Sequence, residues 1–186
     1  MNFRFHPEKA KEATAVILNW AGGRINIMKL IKLLYLLDRD SINLRRTPVV
    51  GGDYLSMKNG PVISELLDLI NEGELWNFND AEWSKYIGER IGHEIALKSD
   101  PGREHLSDAE IELAGKIWEK YGRFDQFELR DICHDICKEW TPLKSGRADI
   151  TIEHMGKALG KDENEIRFLQ QEAKELNKLD AIFASP

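Results

Sequence analysis

Cysteine is scarce in this chain, and its two cysteines are badly placed for a disulfide framework. Cys133 and Cys137 lie four positions apart within one predicted helical segment. Disulfide-stapled secreted domains use cysteines to join distant segments of the chain. The spacing therefore favours a reducing compartment, and we expect a cytoplasmic protein.

Long apolar runs are also lacking. No uninterrupted apolar stretch approaches the roughly 20 residues that a membrane-spanning helix needs. The N-terminal sequence MNFRFHPEKAKEA contains no apolar core of the kind found in signal peptides. We therefore expect no membrane partner.

Recognisable catalytic motifs are missing as well. The chain contains no G-x-S-x-G, no H-E-x-x-H and no P-loop. Cys133, His134 and Cys137 form the one group with metal-ligand chemistry, but a closed zinc site needs four ligands and no second cysteine pair exists. We interpret the cysteines as small core residues and predict no metal, no cofactor and no catalytic residue. A metal-dependent enzyme is the less favoured alternative, which elemental analysis would test.

Positive charge is concentrated in the first third of the chain and negative charge in the remainder. The net charge is −6, yet residues 1–62 carry ten Lys and Arg against five Asp and Glu, so the remainder holds −11. This division argues against nonspecific coating of DNA, whose affinity comes mainly from phosphate neutralisation. It permits a local basic site for an acidic partner surface.

A second alternative is a nucleic-acid-binding transcriptional regulator, because residues 150–165 superficially resemble a helix-turn-helix. The would-be recognition helix begins Asp162-Glu163-Asn164-Glu165, which phosphates would repel. We expect residues 146–186 to form an acidic helical hairpin that packs on the domain, and we do not favour a nucleic-acid partner.

The most apolar part of the chain predicts a central helix over residues 26–43, because polar positions are few in INIMKLIKLLYLLDRD. At about 100° per residue, Lys29, Lys32 and Arg39 fall within one narrow sector of this helix. We name these three residues the polar edge. A solvated helix edge would need no partner, and that interpretation stays open. Tyr35 lies beside Lys32, however, and interfaces favour aromatic residues around charged anchors.

The other elements are predicted from local signals. Val49–Met57 alternates weakly and predicts a short strand, which His93–Lys98 could join in a sheet of two or three strands. Gly60-Pro61 predicts a helix start. Ser107 and Glu110 predict a capping box that opens a helix over 108–121. The predicted fold is mainly α, a single compact multi-helix domain with a small two- or three-stranded β element.

Several short sequences, taken in order, carry a family resemblance. They are Lys32-Leu33-Leu34-Tyr35, Asp38-Arg39, Gly52-Asp53-Tyr54, Met57-Lys58-Asn59-Gly60-Pro61-Val62, Leu106-Ser107-Asp108-Ala109-Glu110, and the pair His134 and Trp140. Their order and spacing resemble the Panacea domain, the SocA/GepA-like family of bacterial and phage antitoxins. The resemblance spans about residues 8–145, within what we treat as a single Panacea-like domain over residues 1–186.

The resemblance implies an antitoxin that neutralises a cognate toxin by stoichiometric protein–protein binding. It also suggests a second role, in which the protein delivers the toxin to an ATP-dependent protease. A homo-oligomer is compatible with either role. The predicted contact residues are Lys29, Lys32, Tyr35, Asp38, Arg39, Tyr54, Met57 and Lys58. The residues predicted to hold the fold are Gly52, Asp53, Gly60, Pro61, Val62, His134 and Trp140. We interpret His134 as a hydrogen-bonded structural residue; the resemblance adds a role in the partner surface or in positioning Trp140.

Overall fold

A hydrophobic helix at the centre of the molecule, α2 (Ile27–Arg45), supports most of the other elements. The computed structural model describes residues 3–72 and 80–183. The other helices are α1 (Pro7–Trp20), α3 (Ser64–Glu72), α4 (Asp80–Tyr86), α5 (Asp108–Tyr121), α6 (Gln126–Ile136), α7 (Ile152–Ala158) and α8 (Glu163–Phe183). The strands are β1 (Arg24–Asn26), β2 (Tyr54–Met57), β3 (Gly60–Ile63), β4 (Glu94–Ala96) and β5 (Arg147–Ile150). The prediction of a mainly α domain with a small β element is confirmed.

The ends of α2 follow from its sequence. Asn26 caps the first turn, because its side-chain oxygen accepts the Met28 N–H at 2.9 Å. At the other end Arg46 adopts a left-handed conformation with φ 69°, and its N–H bonds to the carbonyl of Ile42. Between these ends, α2 packs against α5, α6 and β3. Each fully buried leucine of this helix contributes about 1.5–3 kcal/mol through burial.

Two antiparallel sheets flank the helices. β1 pairs with β4, and β2 lies between β3 and β5 in a three-stranded sheet. The predicted pairing of the segment around Ile95 with the strand before Gly60 is therefore wrong, since β4 pairs with β1 instead. The third strand of the larger sheet is β5, which lies in the region predicted to be a helical hairpin.

The predicted helix start at Gly60-Pro61 is also wrong, because these residues open strand β3 of a tight hairpin. Met57 pairs with Gly60 and Ser56 pairs with Pro61, which leaves Lys58 and Asn59 as the turn. β3 is an edge strand, where the missing N–H of Pro61 breaks no ladder. The helix begins only at Ser64.

The capping box predicted at Ser107 and Glu110 is confirmed, since the Ser107 side chain accepts the Glu110 N–H while Glu110 accepts the Ser107 N–H. Lys9 on α1 forms an ion pair with the same Glu110 at 2.7 Å. This cap therefore also joins α1 to α5.

At the C-terminal end, the buried positions of α8 within residues 163–179 all lie in its first three turns. Ile166, Leu169 and Ala173 are in the interior, whereas Leu176 and Leu179 are substantially exposed. β5 precedes α7 and pairs with β2, which joins this part of the chain to the three-stranded sheet. Among the helices of residues 3–72 and 80–183, none combines the length and apolarity required to cross a bilayer.

The loop before β2 is organised by one buried carboxylate. Asp38 Oδ1 accepts the N–H groups of Val49 and Val50 at 2.8 and 2.7 Å, and Oδ2 accepts that of Gly51 at 2.8 Å. Tyr54 Oη donates to Oδ2 at 2.9 Å. Burial raises the pKa of Asp38 to about 6, and these four donors oppose that rise. The carboxylate is thus ionised at neutral pH and holds the loop against α2.

The loop continues through Gly52 into the sheet. Gly52 has φ 107°, and a Cβ there would lie 2.6 Å from the Glu65 carboxylate. That carboxylate accepts the Asp53 N–H at 2.9 Å. The positive φ strains any residue that carries a side chain, and the close approach adds to this preference for glycine at position 52.

We expect Asp38→Asn to lower the free energy of unfolding by about 2–4 kcal/mol at pH 7, because an amide NH2 would face buried N–H donors and leave them unsatisfied. Urea denaturation followed by circular dichroism measures this loss. Asp40→Asn on the same helix is the matched control and should cost less than about 1 kcal/mol. Equal losses for the two variants would contradict the anchoring role of Asp38.

Candidate functional site

The expectation that α2 exposes a cationic, tyrosine-flanked surface is wrong. Lys32, Tyr35, Asp38 and Tyr54 are each at most 1% exposed. The polar edge of α2 faces α6 and the β2–β3 hairpin instead of solvent. Helical periodicity placed the polar edge on one side of α2, but the elements that cover that side come from distant parts of the chain.

Lys29 and Arg39, the other two residues of the polar edge, also bond to groups within the protein. Lys29 Nζ donates to the Gly122 carbonyl at 2.6 Å and lies 5.5 Å from the Trp118 ring. Burial lowers the pKa of Lys29 from its usual value, with Asp125 opposing the shift. Lys29 therefore supports the junction of α2 with the end of α5.

Arg39 belongs to a buried network with Tyr35 and Glu139. Glu139 Oε1 accepts from Tyr35 Oη at 2.8 Å and from Arg39 Nε at 2.7 Å. Arg39 Nη2 also donates to the Ile136 carbonyl at 3.2 Å. Burial and the neighbouring Glu139 carboxylate raise the pKa of Tyr35 well above its usual value. The phenol thus stays protonated and donates, and the network fastens the end of α6 to α2.

Lys32 connects α2 to the hairpin. Its Nζ donates to the Pro61 carbonyl at 2.6 Å, and burial lowers its pKa to about 8. Gly60, at φ 98°, brings its backbone close to this lysine: a Cβ there would lie 3.1 Å from Nζ and 3.3 Å from His134 Nε2. Glycine at this position lets the hairpin, the lysine and the histidine meet.

His134 and Trp140 lie on the other side of this contact. Their rings stack at 3.9 Å with an interplanar angle of 3°, and Trp140 Nε1 donates to the Met57 carbonyl at 2.9 Å. His134 Nε2 is buried without a hydrogen-bond partner among the described residues. Burial lowers the pKa of His134, with Lys32 acting in the same direction. The stacked pair is therefore neutral and holds the segment after α6 against the hairpin.

Cys133 and Cys137 complete this interior. Both thiols are buried. Their mutual hydrogen bond, together with burial, raises the pKa of Cys137, whereas the same hydrogen bond lowers the pKa of Cys133. The Cys137 thiol therefore stays protonated, and a protonated thiol is a poor metal ligand and a poor nucleophile. Within the described ranges, no three His, Cys, Asp or Glu side chains are grouped as a metal ion would require.

The candidate site is a groove of about 470 Å³ beside this interior. Its walls are the start of α2, the β2–β3 hairpin, α3, the segment before β4, and the first turn of α6. It is lined by Asn26, Ile27, Met28, Ile31, Lys32, Met57, Lys58, Asn59, Gly60, Val62, Leu67, Asn71, Arg90, His93, Gln126 and Phe127. Of the predicted contact residues, Lys32, Met57 and Lys58 line the groove, and Lys58 is exposed. Gly60 and Val62, predicted to hold the fold, line it as well.

Sequence reasoning missed most of the residues that line this groove. Arg90 and His93 precede β4, and Phe127 lies in α6, far from the hairpin in sequence. One signal was available for Phe127, because it lies off the helical face that buries Leu129 and Cys133. It is 51% exposed.

We expect the stability of the protein to depend on Lys32 in alkaline solution. Between about pH 8 and pH 10 an unfolded lysine binds a proton that folded Lys32 has lost, so stability rises with pH in the wild type. Lys32→Met lacks this contribution. From pH 7 to pH 10 the wild type should therefore gain about 2 kcal/mol in free energy of unfolding relative to the variant, as measured by urea denaturation.

Lys174→Met, at an exposed position of α8, is the matched control for this pH series. A change of the same size at the control would assign the effect to general surface charge. A difference between wild type and Lys32→Met that stays constant with pH would show that buried Lys32 keeps its proton.

Comparison with known proteins places these contacts in a family. The family described as "Antitoxin SocA-like, Panacea domain" matches residues 30–141, from α2 to the segment after α6. No curated protein and no solved structure matched the chain. The matched range contains the buried contacts of Lys32, Asp38 and Arg39 and every residue that lines the groove except Asn26, Ile27 and Met28. Since the match covers more than half of the chain, this protein belongs to the SocA-like Panacea-domain antitoxin family.

Proposed function

We propose that the protein neutralises a cognate toxin by direct, stoichiometric binding in and around the groove. Family membership supports an antitoxin role. The groove supports its location, because it joins apolar side chains to exposed polar ones, as the centre and rim of protein interfaces do. No chemical step is required, since occupying a toxin's functional surface suffices to silence it.

The proposed contact residues differ from those predicted from sequence. Met57 and Lys58 remain, joined by Met28 and Phe127 at the groove edge. Methionine and phenylalanine suit this task, because flexible thioethers and large aromatic rings supply much of the energy of interface anchors. Lys32, Asp38 and Tyr54 act from the interior by holding the hairpin and the loop before it in place, and Tyr35 helps to hold the segment after α6.

The first test is growth. The open reading frame adjacent to this gene is expressed alone and then with the protein. We expect growth arrest in the first case and relief in the second, with a stable one-to-one complex on purification. A harmless neighbour, or a toxic one that co-expression does not relieve, would count against the proposed function.

A single substitution tests the location. We expect Phe127→Asp to weaken toxin binding by about tenfold or more, because it places a charge on an apolar anchor. Binding is measured by titration calorimetry and compared with rescue of growth.

Phe168→Asp on α8 is a closely matched control for this variant. Phe168 is 50% exposed against 51% for Phe127, and an arginine side chain lies over each ring. Both variants should keep the wild-type circular-dichroism spectrum. If both bind the toxin equally well, the groove is not the binding site.

The family resemblance also suggests an adapter role, in which the bound toxin is delivered to an ATP-dependent protease. In that form of the proposal the toxin's half-life shortens when the protein is present. Chase measurements of toxin level with and without the protein, in cells with and without the protease, separate delivery from simple inhibition.

A further inference from the structure

The charged side chains that line the groove all have the same sign. They are Lys32, Lys58 and Arg90, and no Asp or Glu is among the described lining residues. The whole chain carries a net charge of −6, so this local excess of basic groups opposes the average of the surface. A basic site on an acidic protein selects for acidic partners through complementary fields.

The basic groups at the rim are available for a partner. Within the described part of the chain, Lys58 has neither a hydrogen bond nor an ion pair, and its side chain is exposed at the hairpin turn. Arg90 donates to the Gly92 carbonyl at 2.8 Å and to the Asn71 side chain, which are neutral acceptors. Those two bonds orient the guanidinium on the groove wall and leave its charge uncompensated.

The floor adds a further positive charge in a region of low dielectric constant. Lys32 lines the groove but is only 1% exposed, and its one hydrogen-bond acceptor is the neutral Pro61 carbonyl. Charges in such surroundings are screened much less than those on the surface. Lys32 therefore favours an anionic group in the groove without having to contact it.

The rest of the lining is largely apolar and supplies an anchor. Met28, Ile31, Met57, Val62, Leu67 and Phe127 contribute side chains to it. Phe127 is half exposed, and filling the groove with an apolar side chain would remove that surface from water at about 25 cal/mol per Å². A nucleic-acid duplex, which contacts proteins mainly through its phosphates and sugars, would leave these side chains uncovered.

We infer that the groove recognises an acidic segment of the toxin in which an apolar side chain is flanked by Asp or Glu. The apolar side chain packs against Met57 and Phe127, and the flanking carboxylates pair with Lys58 and Arg90. The identity of the partner rests on the proposed function, whereas the chemistry of the segment follows from the groove itself.

Charge reversal in the purified complex is the decisive test. We expect Lys58→Glu with Arg90→Glu to weaken toxin binding by at least about 30-fold and to reduce its salt dependence between about 50 and 500 mM NaCl. The control is Lys174→Glu with Lys178→Glu on α8, which makes the same change in net charge at exposed positions. If the two double variants bind equally well, the inference is wrong although the antitoxin function stands.

A peptide assay decides the inference even if the neighbouring gene proves harmless. The probe is a fluorescent peptide in which a leucine–phenylalanine pair lies between two pairs of glutamates, compared with its glutamine counterpart. We expect the glutamate peptide to bind the wild type at least about tenfold more tightly than the glutamine peptide and the Lys58→Glu, Arg90→Glu variant to lose this preference. Equal binding of the two peptides, or displacement of the acidic peptide by a short oligothymidine, would overturn the inference.

Discussion

The architecture depends on the burial of polar side chains that extend from α2 toward several neighbouring elements. Lys32, Asp38 and Arg39 extend into the interior or its margin, and each has a specific partner there. Removing an ion from water costs several kcal/mol, so such groups are tolerated only when their partners are correctly placed. The hairpin, the loop before it and the end of α6 therefore cannot shift along α2 without leaving a buried charge unpaired.

This constraint gives a physical reason for the short sequences that carry the family resemblance. Lys32 reaches Pro61, Asp38 reaches the loop at 49–51 and Tyr54, and Trp140 reaches Met57. The spacing of these short sequences thus follows from the hydrogen bonds that join α2, the hairpin and the segment after α6. An apolar interface would allow several registers of the hairpin, and we infer that the polar contacts select one of them.

Local signals in the sequence predicted what local interactions determine. The limits of α2 and the capping box at Ser107 depend on neighbouring residues, and both were predictable to within about two residues. Gly60-Pro61 suits a helix start and an edge strand equally well, and the choice is made by Lys32 and by pairing of β2 with β5, which lies some ninety residues further along the chain. The burial of Lys32 could not be predicted for the same reason, because the elements that cover it are remote in sequence.

The buried contacts also determine what the groove can do. Its walls come from four separate segments of the chain, within residues 26–32, 57–71, 90–93 and 126–127. The contacts of Lys32 and Trp140 fix the hairpin wall to α2 and to the segment after α6. A fixed wall loses little conformational entropy when a partner binds, which favours tight stoichiometric inhibition. The interior charges are satisfied and maintain the shape, while Lys58 at the rim keeps an uncompensated charge. Because these two groups of charges have different partners, a residue at the rim such as Lys58 can change without disturbing the contacts that hold the hairpin.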